Sequence, residues 1–390
     1  MQDKEFLMIP GPTPVPQSVL LDMAKHPMGH RSSEFSSLLS EVYNDLKWAF
    51  QTKNEVFVYT ASGTGAMEAA ISNVVNKGDK VLSLVIGNFG ERWAKIAASV
   101  GAEVEKIQVE PGQAINPAVL SKRLKEDVNK EIKVVTMTHN ETSTGVTNDV
   151  QTLCAMVQEH GALSIVDGIT SVGCMPVKAD EWGIDILISG SQKGFMIPPG
   201  LSFLTCSEKA MKAYEQCEHP SFYFDFKAYK KAVNDNSTPY TPAVNLFVAL
   251  HTALQMMKKE GLENIYARHA RNAKAVRAAM RAMNMPLFVE DDEIASKAIT
   301  AVLPPEGITV PQIRSTMKKD FDIVIANGQG KLVDKIFRMG HMGFVSDRDV
   351  LSAISSLEAT MYKLGHKFEV GAGTAAAIKV LNEAKQKALV

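Results

Sequence analysis

Residues 161–194 read GALSIVDGITSVGCMPVKADEWGIDILISGSQKG, and this stretch decides the fold. Leu163-Ser164-Ile165-Val166 is a short apolar run that ends on a carboxylate, Asp167. Ile184-Asp185-Ile186-Leu187-Ile188 is a second run, followed by the small residues Ser189-Gly190-Ser191 and then Gln192, Lys193 and Gly194. Short apolar runs bounded by glycine and polar turns read as strands buried on both faces, as in a parallel sheet. In an open parallel sheet, ligands sit beyond the carboxyl ends of the strands. Asp167 and Lys193 both occupy such ends and are candidate site residues. An Asp in this place can also be a plain helix cap, and most lysines are surface groups. Lys193 differs in standing among small residues, where a lysine of lowered pKa can form a Schiff base.

The same alternation extends outward. Met67, Ala70, Ile71 and Val74 have helical spacing and stop at Gly78; Trp93, Ile96, Ala97 and Val100 stop at Gly101; Val150, Leu153, Cys154 and Val157 stop at Gly161. Val81-Leu82-Ser83-Leu84-Val85 and Val134-Val135-Thr136-Met137 read as strands between them. Strands alternating with helices predict an α/β fold with a mostly parallel sheet covered by helices. After the strand ending near Val58, Thr60-Ala61-Ser62-Gly63-Thr64-Gly65 leads into a helix. Small residues there let backbone N–H groups approach a phosphate at a helix N-terminus, although such a turn can also simply start a helix. The turn matches neither the GxxxxGK[ST] nor the GxGxxG pattern.

Beyond about residue 205 the pattern changes. Residues 215–243 are rich in Tyr, Phe, Asn and Pro and predict irregular structure. A helical stretch runs from Asn245 to about Met283 with an interruption near Gly261; its basic face of Arg268, Arg271, Lys274, Arg277 and Arg281 reads as solvated surface. Residues 296–390 mix short strands (Ala298–Val302, Phe321–Ile325, Ile336–Met339) with helices near 311–319 and 348–364, which predicts a smaller α/β domain.

With 390 residues, the chain has room for two or three domains with their own cores. Its 42 Lys+Arg against 43 Asp+Glu give a net charge of −1, which offers no general attraction to nucleic acid or an anionic membrane. No apolar run is long enough to span a bilayer, and the N-terminus lacks the apolar core of a signal peptide, so a cytoplasmic location without membrane partners is expected. The four cysteines, Cys154, Cys174, Cys206 and Cys217, form no CxxC pair, which disfavours iron–sulfur and structural zinc sites. No metal is expected.

A phosphate cradle, a strand-end carboxylate and a strand-end lysine are together the minimum set for holding pyridoxal 5′-phosphate. The chain resembles the class V, fold-type I aminotransferases, in particular the alanine–glyoxylate and serine–glyoxylate branch. The resemblance rests on IPGPTPVP (9–16), GHRSSEF (29–35), SGTGAMEAA (62–70), NFGERW (88–93), THNETSTGV (138–146), VDGITSVG (166–173), SGSQKGFMIPPG (189–200), TPYTPAVNL (238–246) and KIFRMGHMG (335–343). It implies an N-terminal arm (1–16), a large cofactor domain (17–265) and a small C-terminal domain (266–390).

The resemblance further implies Lys193 as the lysine that carries the cofactor and Asp167 as the partner of its ring nitrogen. Ser62, Gly63, Thr64 and Gln192 would hold the phosphate. Phe89 would stack on the ring where relatives often have Trp, Ile169 would pack on the other face, and Thr142 would bond near the ring hydroxyl. Tyr240 and Thr241 would reach the phosphate of a neighbouring subunit in a homodimer with shared sites, and Arg338 would bind the substrate carboxylate. The implied partners are a small amino acid and a small 2-oxo acid, in a ping-pong reaction with alanine or serine as donor and glyoxylate or another small 2-oxo acid as acceptor; a class V aminotransferase with aspartate as donor is the alternative. His30-Arg31 suggests a helix cap or loop anchor. A cysteine desulfurase is disfavoured because every cysteine precedes residue 218. Relatives have also been labelled soluble hydrogenase subunits, but hydrogen chemistry at metal centres calls for clustered thiolates, and these cysteines are dispersed.

Overall fold

The structure, a computed structural model, describes residues 5–387. Its larger sheet has seven strands in the order Val56–Tyr59, Ser202–Cys206, Ile186–Gly190, Leu163–Asp167, Ile132–Thr138, Lys80–Val85, Glu103–Gln108. All run parallel except Ser202–Cys206, which is antiparallel to both neighbours. Every residue of Leu163–Asp167, Ile186–Gly190 and Ser202–Cys206 is buried, so both faces of the sheet centre are covered. This is why these strands read as continuous apolar runs rather than alternating ones. The edge strand Glu103–Gln108 is half-exposed and polar, and sequence periodicity did not reveal it.

Helices fill the intervals. Helix Gly63–Ser72 packs across Ile186–Gly190 and Ser202–Cys206, which carries the 62–64 turn to the carboxyl ends of the central strands. Helix Val150–His160 is capped by the Asp149 side chain and ends on Gly161 at φ +98°, a left-handed conformation that glycine adopts without strain. Residues 215–243 are not wholly irregular as expected: they contain helix Phe226–Asn234, capped by Asp225. Its buried Phe226, Tyr229, Ala232 and Val233 lie on one face, a spacing masked by the surrounding aromatics and asparagines. The long helical stretch is two helices, Val244–Glu260 and Leu262–Ala282, divided at Gly261.

A second sheet has the order Phe6–Met8, Ile323–Asn327, Phe337–Gly340, Ile299–Val302. Phe6–Met8 runs parallel to Ile323–Ile325, so part of the segment read as an N-terminal arm is a strand of the C-terminal sheet. Met8 lies in the second core with Val302, Phe337, Met339 and Leu357. Helix Leu262–Ala282 serves both cores: Ile265 and Tyr266 pack in the first, and Ala275, Val276, Ala279 and Met280 in the second. The boundary expected between 265 and 266 therefore falls inside a continuous helix. Among the described residues no helix is long and apolar enough to cross a membrane.

Candidate active site

Beyond the carboxyl ends of the central strands lies a cavity of about 200 Å³. Its walls include Ser62, Gly63, Thr64, Phe89, Thr142, Asp167, Ile169, Gln192 and Lys193, nine of the residues singled out from sequence. Arg92, Asn140 and Thr170 complete the lining and were not singled out. Each carried a signal. Arg92 stands three residues, close to one helical turn, after Phe89, and Asn140 and Thr170 lie within three residues of strand ends.

Ser62 occupies the N-cap of helix Gly63–Ser72, yet its side chain makes no capping bond. The hydroxyl and the first N–H groups of that helix are thus available to an anion, as a plain cap would not leave them. The turn is closely packed: a methyl at Gly63 would lie 2.6 Å from Ile169 Cδ1. Arg92 donates to Thr64 Oγ1 at 2.8 Å and lies over the Phe89 ring at 4.7 Å, an arrangement that suits a cation–π contact. A hydroxyl whose lone pair is taken by a guanidinium has its proton free to donate to an anion. Gln192 supplies a buried side-chain oxygen with no partner among the described residues.

Asp167 is 4% exposed, and its Oδ1 accepts the Ile169 N–H at 2.8 Å. Its carboxylate makes no other hydrogen bond among the described residues. Burial, with a smaller push from the Glu141 charge, raises its pKa to about 7; the Ile169 N–H, Arg92 and Lys193 oppose the rise. Such a carboxylate is short of a partner and favours a cationic N–H.

Lys193 is half-buried, and its Nζ donates to the Pro10 carbonyl at 2.7 Å. Burial first, and the Arg338 charge second, depress its pKa to about 8, although Asp167 pulls it up. An amine so tuned has a far larger neutral, nucleophilic fraction near physiological pH than an ordinary lysine. The segment Ile9–Thr13 lies over it: the Thr13 N–H bonds the Gln192 carbonyl at 3.1 Å and Thr13 Oγ1 the Lys193 carbonyl at 3.0 Å. Gly11, at φ +142°, gives the lysine its room, since a methyl there would collide with Nζ and come within 2.8 Å of Cε. We expect Gly11→Ala to lower cofactor loading by roughly tenfold or more, combining overpacking with a disfavoured backbone angle. Visible absorbance during reconstitution checks this, and wild-type loading would refute it.

Three residues expected at the site lie off the cavity wall. Arg338, on strand Phe337–Gly340, is 4% exposed, donating from Nε to the Asn327 carbonyl (2.8 Å) and from Nη1 to the Thr142 carbonyl (2.7 Å). No carboxylate pairs with it among the described residues, so a buried cation stands one residue's backbone away from the cavity. Tyr240 donates to the Phe222 carbonyl at 2.9 Å and stacks on Tyr223, and Thr241 is exposed. Arg31 is a loop anchor: its Nη1 bonds Ser237 Oγ at 2.8 Å and the Thr238 carbonyl at 2.7 Å. Tyr43 adds a bond to the Ser237 carbonyl at 2.7 Å. The strap that carries Tyr240 and Thr241 is thereby pinned to helix Ser33–Phe50.

A mostly parallel central sheet here brings a tuned lysine, a buried carboxylate and an uncapped helix N-terminus onto one cavity, the fold and arrangement of an α/β enzyme. The family model for aminotransferase class V matches residues 6–339, and the chain belongs to that family. It is an aminotransferase. It is 54% identical to the protein named soluble hydrogenase 42 kDa subunit from Anabaena cylindrica, over 98% of this chain and 100% of that one. It is 37% identical to the serine–glyoxylate aminotransferase of Methylorubrum extorquens, covering 97% of this chain and 96% of the relative. Among solved structures, the ureidoglycine–glyoxylate aminotransferase of Bacillus subtilis superposes with a TM-score of 0.92 at 30% identity, over 98% of this chain and 99% of that one. Membership implies pyridoxal 5′-phosphate. The residues present fit it: an uncapped helix N-terminus, an unpartnered buried amide oxygen, a carboxylate short of a cation and a depressed lysine.

Proposed function

We propose that the protein moves an amino group from a small amino acid, alanine or serine, to glyoxylate in two half-reactions of ping-pong type. The observation that carries this reading is the pairing, on one cavity wall, of Lys193 held near a pKa of 8 with Asp167 held near 7. When bound, pyridoxal 5′-phosphate supplies the carbonyl that takes up the amino group and the ring that accepts electrons from the donor's Cα. Ser62, Gly63, Thr64 and Gln192 would hold its phosphate, with Arg92 turning the Thr64 hydroxyl toward it. Phe89 and Ile169 would flank the ring, and Thr142 would stand beside it. Asp167 would keep a proton on the ring nitrogen. Lys193 Nζ would take the proton from the donor's Cα as general base. Arg338 would receive the donor's carboxylate with a two-pronged guanidinium.

Glyoxylate is the acceptor in the names of both the Methylorubrum and the Bacillus relatives, whose donors differ, so the acceptor is the better-supported half. The hydrogenase label of the Anabaena relative calls for clustered metal ligands; among the described residues no group of three or more His, Cys, Asp or Glu side chains is arranged to hold a metal. Free cysteines, three of them buried, suit a reducing cytoplasm. Titrating the cofactor-loaded protein with alanine, serine and aspartate separately tests the donor. Bleaching of the visible band with release of one oxo acid per site is expected for alanine or serine; bleaching by aspartate alone would overturn the donor assignment.

The site would be shared between two subunits, with the 237–242 strap of one reaching the phosphate held by the other. Mixing Lys193→Ala with a Tyr240→Phe/Thr241→Val double variant should then restore activity. One site of each heterodimer carries both defects and the other carries neither. No recovery in demonstrated heterodimers would mean that each subunit builds its own pocket.

A further inference from the structure

Among ionisable groups without a role in this reading, Glu141 stands beside the cavity and accepts four hydrogen bonds. It is fully buried in the turn after strand Ile132–Thr138. Its Oε2 accepts the N–H groups of Phe89 at 2.9 Å and Gly90 at 3.2 Å. Its Oε1 accepts the Ser143 N–H at 3.1 Å and the Ser143 hydroxyl at 2.6 Å. Ser143 Oγ also accepts the Asn88 N–H at 2.9 Å, so the hydroxyl proton is free to point at Glu141. Among the described residues four donors converge on this side chain, three of them main-chain N–H groups that can only donate, and they favour the carboxylate form against the burial that pushes its pKa upward.

Glu141 acts in two directions, through its carboxylate and through its main-chain carbonyl. Helix Asn88–Ser99 begins with Gly87 at its N-cap and has no capping side chain of its own. Glu141 supplies that cap from a different loop and so fixes the turn that carries Phe89. Gly87 makes the approach possible, because a methyl there would lie 2.5 Å from Glu141 Cγ and 2.6 Å from Ser143 Oγ. In the other direction, the Glu141 carbonyl accepts the Gly145 N–H at 2.8 Å and closes the turn. The next carbonyl in that turn, Thr142, receives Arg338 Nη1 at 2.7 Å. One buried group thus ties the aromatic ring on the cavity wall to the guanidinium behind it.

We propose that Glu141 is a positioning residue, holding Phe89 and Arg338 in a fixed mutual geometry through the turn 141–145. This rests on the roles given above to Phe89 and Arg338. Only a carboxylate can accept all four donors, and aspartate is one methylene too short to reach both the helix and Ser143. The holoenzyme variants Glu141→Ala and Glu141→Gln test the proposal. Visible circular dichroism reports how the ring of the bound cofactor is seated, and the donor KM reports Arg338. Glu141→Ala should lose most of the visible dichroism and raise the donor KM by about tenfold or more. In the cofactor-free protein, the amides of Phe89 and Gly90 should exchange with solvent at least about tenfold faster.

Glu141→Gln keeps the volume and can present its oxygen to Phe89 and Gly90, but it sets N–H₂ against the Ser143 N–H. Its dichroism should stay near wild type while the donor KM still rises several-fold. If the Ala variant does not fold, the Gln variant decides alone. A cofactor-loaded Gln variant with wild-type KM, or an Ala variant with wild-type dichroism and KM, overturns the proposal. Failure of the wild type itself to bind pyridoxal phosphate would instead strike at the functional reading.

Discussion

Lys193→Ala is expected to abolish both turnover and the visible absorbance of the bound cofactor while leaving the fold intact. Among the described residues the side chain's one hydrogen bond is to the Pro10 carbonyl, and the backbone bonds of this loop to Thr13 do not depend on it. Truncation also removes the group that Gly11 crowds, so no new clash arises. The loss should exceed about 10⁴-fold, because a general base and the covalent attachment go together. A small primary amine added to solution should restore part of the rate by standing in for Nζ. Substantial turnover in a folded, cofactor-loaded variant would sink the assignment.

Asp167→Asn should have the second-largest effect, with opposite signs in the loaded and the empty protein. In the loaded enzyme it removes the charge that keeps the ring nitrogen protonated. The rate should fall by at least roughly a hundredfold at saturating cofactor, a loss of several kcal/mol of electrostatic stabilisation. In the empty protein the same charge is a liability. The folded pKa, about 7, lies above the ordinary value of 3.8. A carboxylate raised in this way stabilises the fold fully below the ordinary value, and that contribution is lost as pH rises through about 7. The gap corresponds to about 4 kcal/mol at full ionisation, at about 1.4 kcal/mol per unit. The empty wild type should therefore lose stability between pH 5 and 8 relative to empty Asp167→Asn, in which the Ile169 N–H still finds an oxygen. Urea unfolding of both proteins at the two pH values checks the sign. Parallel curves would mean that Asp167 is not buried as a charge.

Much of this architecture was legible because it is local or periodic. Leu163–Asp167 and Ile186–Gly190 are buried on both faces, so their sequence is continuously apolar, and the polar residue that ends each run stands out. Gly101 and Gly161 mark helix ends because each adopts a positive φ that other residues disfavour, whereas the helix expected to stop at Gly78 already ends at Ser72 and Gly78 turns the chain into strand Lys80–Val85. Helix Phe226–Asn234 was obscured because its apolar face is made of the same aromatics as the loop before it. The antiparallel return strand Ser202–Cys206 was missed because nothing in a short buried run records its direction.

What the sequence by itself determined is the α/β class, the succession of its main elements, and the position of Lys193, Asp167 and the 62–64 turn at strand ends, where the structure gathers them on one cavity. Each depends on interactions within a few residues, which leave a mark in composition and spacing. Only the tertiary structure decided that Phe6–Met8 pairs with Ile323–Ile325 and draws Pro10 and Gly11 over Lys193. It also decided that Arg92 serves Thr64, that Arg31 pins the 237–238 strap, and that Glu141 caps a helix some fifty residues earlier in the chain. These contacts join segments far apart in sequence, and their energies depend on burial and on which donors face which acceptors. A charged residue has the same letter whether it is solvated or enclosed, so its partner and its pKa emerge only once the chain has packed.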